Sequence, residues 1–178
     1  DATELSAIGS ATTGDVTVEN AVHITGDHDQ VTAALVTSGS LVLAATATVT
    51  IKDDAGTSID ATELSAIGGK TAGNVMVSNA VAITGDHDQV TAALVTDDTK
   101  VAAGTATVII NDANSIPIDA TELSAIGSAT TGDVTVENAV HITSYHDQVT
   151  AALVTDATKV VAATATVTIT DDDSTDID

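Results

Sequence analysis

Carboxylates and imidazoles recur at fixed places in this sequence, and they are its main candidates for holding an ion or moving a proton. Asp27 and Asp29, repeated as Asp86 and Asp88, form a D-x-D pair beside Gly26 and Gly85. Calcium takes roughly six to eight hard oxygen ligands, and loops with paired aspartates supply several of them. These four residues are therefore the candidate calcium ligands, with Asp53 and Asp54, Asp97 and Asp98, and Asp171 to Asp173 as further acidic clusters. The competing use of Asp27 is as a helix cap, with the other acids solvating turns. In the third copy Ser144 and Tyr145 replace the glycine and the first aspartate, and the calcium nonapeptide GGxGxDxUx occurs nowhere.

Histidines recur as His28, His87 and His146, and again as His23 and His141. Zinc needs three or four converging ligands, whereas copies two strand layers apart are separated by about 10 Å, so the histidines read as exposed and solvated. There is no nucleophile elbow, P-loop or H-E-x-x-H, and every carboxylate cluster has copies in similar surroundings. An active site needs unlike loops converging on one cleft. The chain is therefore expected not to be an enzyme, with no catalytic residue and no cofactor beyond a possible calcium.

The elements that must position these residues follow from a repeat. DATELSAIG opens at Asp1 and returns at Asp60 and Asp119, and Asp178 again stands in the first position, so the period is 59 residues. The units are 1–59, 60–118 and 119–177, one continuous array in which Asp178 begins a fourth repeat. Starting and ending in the same phase reads as an excerpt of a longer array.

Asp1 to Ile8 reads as a short helix with Asp1 and Glu4 as a capping box and Gly9 as a left-handed C-cap. Val16 to Ile24 alternates like a half-buried strand, with Asn20 on its inward side. Asn20, Asn79 and Asn138 read either as a column bonding the backbone of adjacent layers or as ordinary turn residues. Asp27 and Gln30 form a second capping box, Val31, Ala34 and Leu35 a buried stripe, and Thr37 to Ser40 the end of that helix. Leu41 to Ile51 reads as a second strand with Ala45, Ala47, Val49 and Ile51 on one face, and Asp53 to Ser58 as an acidic turn.

The half-repeats resemble one another, giving a strand plus a short helix of about 30 residues, six times over. The fold class is thus an α/β solenoid, a right-handed stack of such coils with a parallel sheet. Ala33, Ala34 and Ala66 would keep its helices thin. The alternative is an all-β parallel solenoid. If the strands stack, Thr46, Thr48 and Thr50, with Thr105 and Thr107 and with Thr164, Thr166 and Thr168, would form a flat threonine face like that of ice-binding solenoids, interrupted at Ile109.

Composition limits the partners. Four lysines and no arginine stand against 26 acidic residues, for a net charge of -22. Such a surface has no basic patch with which to displace phosphate counterions, which excludes nucleic acid, and an anionic membrane would repel it. Divalent cations are the partners it attracts. No apolar run approaches the roughly 20 residues of a membrane span, so no membrane insertion is expected.

VTVENAVHITGDHDQVTAALVT alternating with ATVTIKDDAGTSIDATELSAIGSATTG resembles the Thr-, Ala-, Val- and Asp-rich tandem repeats of large secreted bacterial surface proteins, cyanobacterial and proteobacterial, including RTX-type adhesins. The resemblance implies an extracellular or cell-surface location and a structural or adhesive role. Together these features point to a structural repeat protein of the cell exterior that self-assembles head to tail into a filament, stalk or surface layer. Its rivals are a passive spacer of a giant adhesin and a calcium-binding or ice-binding module.

Overall fold

DATELSAI and DHDQVTAAL both fold as helices, because each carries its own start signal. A computed structural model describes residues 1–39, 42–173 and 175–177. Ser40, Leu41 and Asp178, expected to end a helix, start a strand and open a fourth repeat, lie outside the described residues. Helices α1 (Ala2–Ser10), α3 (Ala61–Gly68) and α5 (Ala120–Ser128) carry the first segment, and α2 (His28–Leu35), α4 (His87–Leu94) and α6 (His146–Leu153) the second. Asp27 accepts the Gln30 N–H at 2.8 Å, and the Gln30 side chain reaches back to the Asp27 N–H at 3.2 Å. That pair satisfies two of the donors a helix start leaves unpaired. Val31, Ala34 and Leu35 are buried as the stripe requires.

The glycine at the end of the first helix has a different purpose from the expected left-handed cap. Gly68, the copy of Gly9, is the last residue of α3, and the cap that follows it, Gly69, is in the right-handed region. A Cβ on Gly68 would sit 2.3 Å from the Thr99 carbonyl oxygen. Glycine stands there because the next coil passes too close for any side chain.

Each expected strand is broken by a corner. In the first half-repeats run β1 (Val16–Thr17) and β2 (His23–Gly26), then β6 (Val75–Val77) and β7 (Ala82–Gly85), then β11 (Val134–Val136) and β12 (His141–Ser144). In the second halves run β3 (Val42–Leu43) and β4 (Thr48–Ile51), β8 (Val101–Ala102) and β9 (Thr107–Ile110), and β13 (Val160–Val161) and β14 (Thr166–Ile169). The first two repeats add β5 (Ser58–Asp60) and β10 (Pro117–Asp119). That extra strand makes the half-repeats unequal, 26 residues from Ala2 to His28 but 33 from His28 to Ala61.

Among the described residues all pairing is parallel, in the orders β1-β3, β2-β4-β6-β8, β5-β7-β9-β11-β13 and β10-β12-β14. The architecture is therefore an α/β repeat fold of alternating helices and parallel strands. Partners lie one coil apart, as with Ser58 opposite Ala82, His23 opposite Thr48 and Val49 opposite Val75. A register of this kind carries each repeat's inward face directly over the next. Ile59, Ile83, Val108, Val134 and their neighbours form one core of Ile, Val, Leu and Ala.

Two inward assignments change at the corners. The Ala47 N–H donates to the Ala44 carbonyl at 3.0 Å, and this turn shifts the alternation, so Ala44 is buried and Ala45 is exposed. Asn79 and Asn138 do bond the adjacent layer, donating through Nδ2 to the Asp53 carbonyl at 2.6 Å and the Asp112 carbonyl at 2.7 Å. They do so from outside the corner, with Asn79 exposed, where an amide can reach a turn carbonyl without being buried.

Candidate functional site

At the start of α2, the imidazole of His28 is gripped from below by a buried carboxylate. Asp53 follows β4, and its Oδ2 accepts the His28 backbone N–H at 2.7 Å while its Oδ1 meets His28 Nδ1 at 2.6 Å. An ionised carboxylate can only accept, so the Nδ1 proton points at Asp53 and the Nε2 nitrogen is turned outward. There Nε2 lies 3.6 Å from Oδ1 of Asp29 and 3.9 Å from Oε2 of Glu63, which comes from the first turn of α3 in the next repeat. One nitrogen and two carboxylate oxygens thus lie within 4.8 Å of one another.

The second copy repeats the arrangement with different residues. His87 Nδ1 meets Asp112 Oδ1 at 2.7 Å, and Nε2 lies 3.7 Å from Asp88 and 3.9 Å from Glu122. In the third, His146 is held by Asp171 in the same two-point fashion, at 2.8 Å and 2.7 Å.

The expectation of solvated histidines fails here. The His28 side chain is 14% exposed and that of Asp53 is 5% exposed, because the strand register carries the turn after β4 beneath the start of α2. Burial pulls the His28 imidazole down, but the hydrogen bond and charge of Asp53, joined by Asp29 and Glu63, outweigh it and hold its pKa above the ordinary 6.5. His87 is raised in the same way, against its burial, by Asp112, Asp88 and Glu122. The Asp171 carboxyl is lowered, first by its hydrogen bond from His146.

The paired aspartates divide between two tasks. Asp27 and Asp86 spend their carboxylates on capping α2 and α4, at 2.8 Å from Gln30 N and Gln89 N. Asp29 and Asp88 instead join the histidine and glutamate groups. In the third copy the Tyr145 phenol cannot take the capping role, and the Gln148 N–H donates to Asp147 at 2.8 Å instead. The other histidines stand apart from these groups. His23 bridges Thr48 at 3.0 Å and Thr50 at 3.2 Å, and His141 reaches Thr168 at 2.8 Å. The threonine files are consequently mixed, since Met76 follows Thr50 across the sheet and Ile109 lies beside Thr84.

Asp53 and Glu63 are the partners that reading the sequence misses. The signal was present in the constant offset from His28 to Asp53, His87 to Asp112 and His146 to Asp171, which matches the strand register. No protein-family model, no curated protein and no solved structure matches this chain.

Proposed function

We propose that the protein is a non-catalytic structural repeat protein that stacks head to tail, building a filament, stalk or surface layer at the cell exterior. The observation that carries this reading is a contrast between equivalent residues. Ile8 is 53% exposed at one end of the array, whereas its copies Ile67 and Ile126 are fully buried. Ile169 is 48% exposed at the other end, whereas Ile51 and Ile110 are fully buried. Each end thus presents a face that, inside the chain, is covered by the adjoining layer.

The strand edges tell the same story. Among the described residues, β7 has β5 on one side and β9 on the other, but its copy β2 pairs on one side alone, and β14 lacks the neighbour that β6 supplies to β4. Open parallel edges flanked by apolar side chains are templates for another strand. A further repeat of the same array or a second copy offers the layer that already fits within the chain, and a head-to-tail contact that does not close into a ring propagates. The acidic surface opposes approach at low salt, and screening should promote stacking.

Negative-stain electron microscopy and light scattering of the concentrated chain, at low and physiological salt, test this. Fibres or rods that lengthen with concentration are expected, and Val167→Asp with Ile169→Asp should reduce them to single particles. A chain that stays monomeric at high concentration and high salt would overturn the proposal.

A further inference from the structure

We propose that each junction between consecutive repeats is a binding site for a divalent transition-metal cation of the zinc and cobalt class. The ligands are His28 Nε2, Asp29 and Glu63 at the first junction, and His87 Nε2, Asp88 and Glu122 at the second. Three protein ligands of mixed nitrogen and oxygen type, with room left for water, suit such an ion. Calcium is the poorer fit, since it wants roughly six to eight oxygens and one of the three donors here is an imidazole.

The geometry needs little adjustment. Ligands about 2.0–2.1 Å from a tetrahedral ion lie about 3.4 Å apart. The imidazole-to-carboxylate separations at the two junctions run from 3.6 to 3.9 Å. The Asp29 side chain is 84% exposed and that of Glu63 36% exposed, so each can close its own gap by rotating. The imidazole is already set, because Asp53 holds the Nδ1 side and leaves Nε2 to the ion, the carboxylate–histidine arrangement that orients metal ligands.

The glutamate supplies an independent observation. In α3 and α5 the cap is made by Asp60 and Asp119, which accept from Thr62 N and Thr121 N, so the glutamates take no part in capping. Glu63 and Glu122 are thereby released from their own helices and face the histidine of the preceding repeat.

The test is calorimetric titration of the chelator-treated full chain with zinc chloride, paired with cobalt chloride absorption spectra. Both are run on the Val167→Asp, Ile169→Asp chain, so that a failure of stacking leaves this result readable. Two cations per chain are expected, with the visible absorption of nitrogen- and oxygen-bound cobalt. Glu63→Gln with Glu122→Gln, which changes only surface carboxylates, should weaken binding about tenfold or more. Asp27→Asn with Asp86→Asn should leave the stoichiometry at two. Absence of saturable binding would overturn the proposal. So would binding that the glutamine pair leaves unchanged, since that is diffuse attraction to an acidic surface.

Discussion

Helices α1 and α3 share the residues ATELSAIG, yet their glutamates and isoleucines end in opposite surroundings. Glu4 accepts at 2.7 Å from the Asp1 ammonium, a donor that Asp60 lacks, whereas Glu63 faces His28 across a layer. Ile8 is exposed and Ile67 is buried. The local sequence determines that both are helices, because capping and periodicity are short-range. What each face does is decided by the coil that lies against it. In a repeat fold the same side chain is therefore structural in one copy and available in another.

The largest test of that comparison is truncation at equivalent sites. Ile67→Ala opens a cavity in a closed layer and should cost about 2–5 kcal/mol, while Ile8→Ala in the unstacked chain should cost less than about 1 kcal/mol. Urea unfolding followed by circular dichroism measures both. Equal losses would mean that the adjoining coil adds nothing to the burial of Ile67. If stacking occurs, the Ile8→Ala penalty should grow in the assembled form.

Next in size is the pH dependence of the gripped histidines in chelator. Their pKa values are raised on folding by Asp53 and Asp112, with Asp29, Glu63, Asp88 and Glu122 adding to the effect against burial. A raised folded value means that folding takes up protons, so this stabilisation is fully present below the ordinary value near 6.5 and is lost as pH rises through the folded value. Melting temperature should therefore fall from pH 6 towards pH 8. His28→Gln with His87→Gln should flatten that slope, and a slope unchanged in the double variant would assign it to the net charge instead. At the acid end the order reverses for Asp171, whose lowered carboxyl contributes above its ordinary 3.8 and loses that contribution as pH falls.

Much of the fold was legible because its signals are local. Two capping boxes and the stripe of Val31, Ala34 and Leu35 suffice to identify helices, and the alternation from Val16 to Ile24 identifies the extended chain that holds β1 and the start of β2. The corners were not legible, since Ala44 and Ala45 are the same residue and a single turn hydrogen bond decides which one is buried. Half of each junction could be read: Asp29 and Asp88 stood out by spacing. Asp53 stood out only as part of an acidic cluster and Glu63 only as a capping residue, because their relation to His28 exists only once the register brings residues of different coils together. Gly68 taught the same lesson, as its sequence position fits a cap while its space is claimed by Thr99.

The smallest effect concerns two turns that differ in one residue. Gly56 and Ser115 occupy the same place before β5 and β10, with φ of +82° and +66°. Their N–H groups donate at 2.8 Å to Ala80 O and Ala139 O, so the layer above pins both turns and the serine cannot relax to negative φ without losing that bond. Nothing lies within 4 Å of a Cβ at Gly56, so the difference is one of backbone conformation and not of space. The left-handed conformation costs a residue with a Cβ about 1–2 kcal/mol, and glycine returns part of that gain as chain entropy in the unfolded state. Ser115→Gly should therefore stabilise by about 0.5–1 kcal/mol and Gly56→Ser should destabilise by a similar amount, read as opposite shifts of a few degrees in melting temperature. Shifts of the same sign would mean that the turn changes its backbone with the residue, and that the hydrogen bond to the next layer does not hold it.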